Sequence, residues 1–244
     1  MLTRRSFTAL GAVAGLAACA RPAPVLQPEP VAPVPAPLPD PAPLPEPAPP
    51  PMPAFYGPIT DEPFPIPAVP AGVVPERLWR TEVANPFPDR APGTIIVDPD
   101  AAILHFVESA DRAMRYGVSV GADGFSWDGV ARLQFTREWP TWKVPEDMIE
   151  RRPDLEKYSV ANGGMPGGPD NPLGARALYL FQNGVDTLYR IHGSAKPEEL
   201  GQAVSSGCIR MLNHDVIDLH RRSVHGADVV VLATRTPTSG PRTI

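Results

Sequence analysis

Two side chains in this sequence could act together on an acyl bond. Cys208 lies in the stretch Ser205-Ser206-Gly207-Cys208-Ile209-Arg210-Met211, and His192 in Tyr189-Arg190-Ile191-His192-Gly193. A thiolate is a strong nucleophile, and it forms where backbone N–H groups of a turn or a cation such as Arg210 stabilise the anion. Either residue alone is ambiguous: a single Cys is often a buried small hydrophobe, and a histidine closing a strand is often structural. Cysteine catalysis needs both, with an imidazole within hydrogen-bond reach of the sulfur. The two residues are sixteen positions apart, so the fold must bring them together.

The elements that would position them can be read from hydrophobic patterning. Gly93–Val97 and Ile103–Val107 form a hairpin around Asp98-Pro99-Asp100-Ala101-Ala102. Tyr116–Val120 continues the pattern into a turn at Gly121-Ala122-Asp123-Gly124. Further strands are predicted at Ala131–Thr136, Ala177–Phe181, Leu188–Ile191 and Asp228–Ala233. A short helix follows Pro145, from Glu146 to Ile149 or on to Arg152, and Pro153 stops it. A second runs from His214 to about Val224, with Asn213 as its cap, Asp215 in the first turn and Val216, Ile217, Leu219 and His220 on one side. The fold class is therefore mainly β, with one or two short helices.

Composition separates this domain from what precedes it. Of 35 prolines, 16 fall between Pro22 and Pro53, a stretch that can build neither helix nor ladder and reads as a disordered linker. As polyproline II, at about 3.1 Å per residue, it would reach on the order of 100 Å. A docking site for a proline-recognising module is the competing reading of the tract. The formal charge of −5 and the lack of a basic cluster exclude a nucleic-acid partner. Cys19 and Cys208 are the only cysteines. Their contexts are too different for a disulfide, and an unpaired thiol in an exported chain invites a reactive role.

The N-terminus reads as an address. Thr3-Arg4-Arg5-Ser6-Phe7 precedes an uncharged run from Thr8 to Ala18, too short to span a bilayer. The paired arginines resemble a twin-arginine export signal, although an ordinary Sec signal shares this layout. Leu16-Ala17-Ala18-Cys19 resembles a bacterial lipobox, which would leave Cys19 lipidated at the new N-terminus. A simple signal-peptidase site is the alternative. Ala20 is not the Asp that often holds proteobacterial lipoproteins at the inner membrane, so a periplasmic, outer-membrane-anchored protein is expected. The expected organisation is residues 1–18 signal, 19–53 lipidated N-terminus and proline-rich linker, 54–91 extended segment, 92–234 catalytic domain and 235–244 tail.

Ile191-His192-Gly193-Ser194, followed by Ser205-Ser206-Gly207-Cys208-Ile209-Arg210-Met211-Leu212-Asn213-His214-Asp215, resembles the signature of the L,D-transpeptidases, YkuD-like peptidoglycan cross-linking enzymes. Trp139-Pro140-Thr141-Trp142-Lys143-Val144-Pro145 and the stretch from Gly167 to Arg176 resemble the proteobacterial periplasmic branch. The resemblance covers about residues 92–234 and implies an L,D-transpeptidase-type β-sandwich or mixed sheet. It makes Cys208 the nucleophile and His192 the general base, with backbone of Gly193 and Ser194 orienting the imidazole and N–H groups around Gly207 and Cys208 forming an oxyanion hole. Arg210 would fix the loop and the local field. Ser206 replaces a His found in many members, which alters tuning rather than mechanism. Tyr189 and Trp142 are candidate substrate contacts, and Trp139 could pack in the core or line a groove. Asn213 and Asp215 read as helix cap and first-turn acid.

The implied reaction is attack on the bond between the L-centre of diaminopimelate and D-Ala in a stem tetrapeptide, release of D-Ala, and resolution of the thioester. The acceptor could be diaminopimelate, a D-amino acid, or an amine of an outer-membrane protein or lipoprotein. Water as acceptor would make a hydrolase that releases wall-attached lipoprotein. A non-catalytic wall-binding lipoprotein and a cytosolic thiol enzyme are the readings from other classes. No cofactor is expected. His105, His214, His220 and His225 lack zinc-ligand spacing, and Gly163–Gly168 lacks the Lys-Ser/Thr of a phosphate loop.

Overall fold

The computed structural model describes residues 50–121, 128–202 and 208–234. The signal, Cys19, the proline-rich linker up to residue 49, Ser206, Gly207 and the 235–244 tail lie outside the described residues, as does most of the Gly121–Gly124 turn. Ten strands are present among the described residues: β1 (Thr81–Ala84), β2 (Ile95–Asp98), β3 (Ile103–Val107), β4 (Arg112–Gly117), β5 (Ser119–Val120), β6 (Gly129–Glu138), β7 (Arg176–Gln182), β8 (Val185–Ser194), β9 (Ile209–Leu212) and β10 (Asp228–Val231). The helices are α1 (Glu146–Arg151) and α2 (Asn213–Arg222).

The strands form one mixed sheet in the order β1-β4-β3-β2-β10-β6-β7-β8-β9-β5. The β2–β10 and β8–β9 pairs are parallel, and every other pair is antiparallel. Only Val118 separates β4, near one end of this order, from β5 at the other. The chain thus crosses from end to end of the sheet in one step, which requires the sheet to curl back on itself. Its concave side holds the core, including Ile95, Leu104, Tyr116, Leu133, Leu178, Ile191 and Met211, together with Val216 and Leu219 of α2.

Three expectations need correction. Tyr116–Val120 is not one strand: it breaks at Val118, where the chain turns between its two partner strands. β1 and β9 were not expected. β1 is a short and largely exposed edge, and β9 is four residues directly abutting α2, so neither leaves a distinct pattern. Asn213 is not the cap of α2, because no side chain caps that helix and Asn213 is its first residue.

The segment before Pro92 packs onto the sheet. Tyr56 and Leu78 are fully buried in a second cluster with Val69, Val74, Ile103, Leu200 and Leu212. Polar contacts fix it as well. The Tyr56 hydroxyl donates to Asp215 Oδ2 at 3.0 Å and accepts the Arg80 N–H at 2.8 Å. Glu62 takes both ends of the buried Arg176 guanidinium at 2.9 and 2.6 Å and also accepts the Trp139 indole N–H at 2.9 Å. Trp139, partly buried, packs against Ile66, Ala175 and Ile217.

Candidate active site

Strand alternation divides β7, β8 and β9 into two faces. Leu178, Leu180, Ile191, Ile209 and Met211 point into the core. The opposite face therefore carries Ala177, Tyr179, Arg190, His192, Cys208 and Arg210. In the parallel β8–β9 register Ile191 pairs with Ile209 and His192 with Arg210. Cys208, the residue before β9, is level with Arg190, and His192 lies one pleat further along the neighbouring strand. The two share a face on a diagonal of about 8 Å between Cα atoms, from strand spacing and rise. Parallel neighbours need a crossover of about a dozen residues or more, and residues 195–208 supply it. The sixteen-residue interval is thus the length of chain a parallel return requires.

The His192 ring is buried, and its Nδ1 lies 2.7 Å from the Gly193 carbonyl oxygen. A carbonyl only accepts, so Nδ1 carries the proton and Nε2 keeps its lone pair. Burial pushes the imidazole down to about 4; Arg210 and Arg190 act in the same direction, and the Gly193 bond opposes them. The half-buried Cys208 thiol is pushed up by burial, against a hydrogen bond from the Arg190 backbone N–H and the charges of Arg190 and Arg210. Both shifts favour neutral resting groups, a thiol on Cys208 and an uncharged imidazole on His192.

Asn213 holds the strand behind the imidazole. Its Oδ1 accepts the Ala175 N–H at 2.9 Å and occupies the space that a Cβ on Gly193 or Gly174 would fill. Gly174 also has φ +61°, in the left-handed region. Asp215 is fully buried, and its carboxyl is pushed up to about 7 by burial, against the pull of Arg80.

The remaining expected site residues divide by face. Arg210 donates to Glu199 Oε2 at 2.9 Å, and Lys196 reaches the other oxygen at 2.8 Å, which ties the crossover to the strand beside His192. Ser194 accepts the Lys196 N–H at 3.1 Å. Trp142 pairs its backbone with Met165 in the 139–175 connection. Tyr189 packs against the core, on the face away from Cys208, so Tyr179 is the tyrosine on the side of the thiol. Arg190, beside His192 in sequence, is a site residue that the motif does not single out; Asp186 accepts from both of its terminal nitrogens at 2.7 Å. The four-residue spacing of Asp186 and Arg190 was a visible signal; the Asn213 lock left none.

The family model of the L,D-transpeptidase catalytic domain, YkuD, matches residues 92–231, more than half of the chain. This chain belongs to that family. Its relatives include the probable L,D-transpeptidase ErfK/SrfK of Salmonella typhimurium, 44% identical over 149 residues, which are 59% of this chain and 43% of that protein. The putative L,D-transpeptidase YkuD of Bacillus subtilis is 38% identical over 114 residues, 47% of this chain and 63% of that protein. The chain therefore spans less than two thirds of both. A crystal structure of a probable carnitine operon oxidoreductase from Brucella melitensis is 43% identical, covering 65% of this chain and 95% of that one, with a TM-score of 0.45.

Proposed function

We propose that this L,D-transpeptidase family member is a cysteine-dependent acyltransferase of the periplasmic cell wall, with Cys208 as nucleophile and His192 as general base. The observation that carries the reading is the fixed tautomer of His192, whose Nδ1–H is held by Gly193 on the same sheet face as Cys208. With both groups neutral at rest, the thiol proton passes to Nε2 as sulfur attacks the carbonyl between diaminopimelate and D-Ala. Backbone N–H groups of Gly207 and Cys208 receive the oxyanion. The C–N bond then breaks, His192 returns the proton to the departing D-Ala amine, and a thioester remains. An incoming amine attacks that carbonyl, loses a proton to His192, and the C–S bond breaks with sulfur taking the proton back. Glu199, through Arg210, and Asn213, through Gly193, act as positioning residues.

The expected setting is a Cys19-lipidated protein with the proline-rich tract as spacer between membrane and wall. Muropeptide mass spectrometry comparing wild type with Cys208→Ala tests the chemistry. Loss of 3→3 cross-links, of D-amino-acid exchange or of protein-linked muropeptides in the variant names the acceptor. Accumulation of wall-bound lipoprotein instead would identify water as acceptor, and unchanged profiles in all channels would refute the acyltransferase. Palmitate labelling that disappears in Cys19→Ala tests the anchor.

A further inference from the structure

The face that carries Cys208 continues across two more strands. Tyr179 of β7 pairs with Arg190 and, on its other side, with Phe135 of β6. The Arg190 guanidinium sits 4.4 Å over the Tyr179 ring. Tyr179 and Phe135 stack at 4.4 Å and 21°. The Arg137 guanidinium lies 4.9 Å from the Phe135 centroid. A cation–aromatic–aromatic–cation row therefore starts beside the thiol and runs across the sheet. The next row pairs His192 with Ala177 and Ala177 with Arg137; His192 and Ala177 are buried, whereas Phe135, Tyr179 and Cys208 are half-buried and Arg137, whose guanidinium leans over Phe135, is exposed. The accessible ground next to the sulfur on β7 and β6 is thus this row.

We infer that the row formed by Arg190, Tyr179, Phe135 and Arg137 is the subsite for the acyl-donor side of an acidic stem peptide, with Arg137 as the cation that meets a carboxylate upstream of the scissile carbonyl. The inference rests on the proposed thioester chemistry of Cys208. Length assigns the direction. From β9 to β6 is three strand spacings, about 14 Å, or roughly four extended residues at about 3.5 Å each. A leaving group of one residue places its carboxylate within a single residue length of the attacked carbon and cannot reach Arg137. The acyl portion, three residues long, spans about 10 Å, and the Arg137 side chain, lying over the Phe135 ring, closes the rest. Charge assigns the residue. Arg190 is committed to Asp186 through both terminal nitrogens, whereas the side-chain bond of Arg137 to Thr136 O is long, at 3.5 Å. The two stacked rings give the intervening peptide a flat surface of the kind that holds a chain without demanding one side chain.

The test uses the full chain and two synthetic stem tetrapeptides that differ only in a free carboxylate or a carboxamide on the second residue. D-Ala release and thioester formation are followed without an acceptor amine, by intact mass and single-turnover kinetics. Wild type is expected to half-saturate at about tenfold lower concentration of the acid than of the amide, the size of one charge-assisted hydrogen bond. Arg137→Gln should abolish that preference while keeping the limiting rate within about twofold, and Tyr179→Leu should weaken both peptides by about tenfold. Unchanged iodoacetamide labelling of Cys208 in each variant reports an intact fold. A preference that survives Arg137→Gln, no preference in wild type, or a defect seen only when a preformed thioester meets an amine would overturn the subsite. If wild type labels with iodoacetamide but forms no thioester with either peptide, the acyltransferase reading itself fails.

Discussion

Replacing Gly193 with Ala should be costly for a reason lying one strand and one helix away. The strand conformation at 193 suits any residue, so backbone strain plays no part; the obstacle is space. A Cβ there collides with Asn213 Oδ1 and comes to 3.1 Å from both Ala175 N and Val216 Cγ1. Forcing a methyl into packed surroundings costs about 1–3 kcal/mol. If the carboxamide moves aside instead, the buried Ala175 N–H loses its partner, which costs a similar ~1–3 kcal/mol. Asn213→Ala alone incurs the second cost without the first. The two substitutions share one cause, so the double variant should be less destabilised than the sum by about 1–2 kcal/mol. Urea unfolding of the four proteins measures the cycle, with Cys208 labelling as a reading of the site. Because the Gly193 carbonyl holds the His192 tautomer, Gly193→Ala should also slow acylation, and Asn213→Ala should partly restore it in the double variant. Additivity within about 0.5 kcal/mol would show that the Asn213 side chain does not exclude a side chain at 193.

Other perturbations follow the buried polar groups. Glu62→Ala removes the bidentate partner of the Arg176 guanidinium, at 6% side-chain exposure, and leaves it the Ala175 carbonyl at 2.8 Å and Glu138 at 3.7 Å, so the cost should be about 2–3 kcal/mol, below that of a fully unpaired buried charge; Glu62→Gln should cost less, and equal effects in urea titrations would contradict the ion pair as cause. Asp215 and His192 predict opposite pH slopes. Asp215, raised to about 7 in the fold, gives stability that is complete below about 4 and lost as pH rises through 7. His192, lowered to about 4, gives stability that is complete above about 6.5 and lost as pH falls through 4. The two compensate between about pH 4 and 6.5, so Asp215→Asn should make the variant gain on wild type by up to about 1.4 kcal/mol per pH unit there; parallel stability curves would refute it. Alkylation of Cys208 should reach half its maximal rate above the ordinary thiol range, since burial pushes the thiol up. A midpoint below 7 would mean a thiolate–imidazolium pair.

What could be read from the sequence was local, and what could not was set by distant partners. The β-branched runs of β2, β3 and β10 and the Leu- and aromatic-rich run of β7 announce themselves because both their faces are covered or alternate cleanly. α1 was legible from the prolines at both its ends, and α2 from its apolar side. The break at Val118 was not, because continuous apolar patterning does not reveal a change of partner strand. Asn213 misled for a related reason. A residue type that commonly caps helices stands where a helix begins, but its carboxamide is drawn away by the Ala175 N–H. The site divides along the same line. Cys208 and His192 were visible as a motif, whereas Tyr179 and Phe135 belong to it only through registers that include a bulge in β6 and another shift in β8.

The two faces of β7–β9 separate stability from chemistry with a period of two. On the core face, Leu178, Ile191 and Met211 are fully buried and packed with α2, and truncating any of them removes apolar contacts that hold the strands in register, at about 2–5 kcal/mol. On the other face, Tyr179, Arg190 and Arg210 are partly open, and their ion pairs to Asp186, within β8, and to Glu199, in the crossover, are half-buried. Part-exposed pairs of that kind contribute on the order of 1 kcal/mol, less than a core side chain, so their removal leaves the sheet folded while changing the field and shape around the sulfur. Gly193 and Asn213 are where this division fails. There the inward face sets the position of the outward imidazole, since the carbonyl that fixes the tautomer belongs to the residue whose missing side chain makes room for Asn213. Stability and activity should therefore be lost together at that pair and separately elsewhere along these strands.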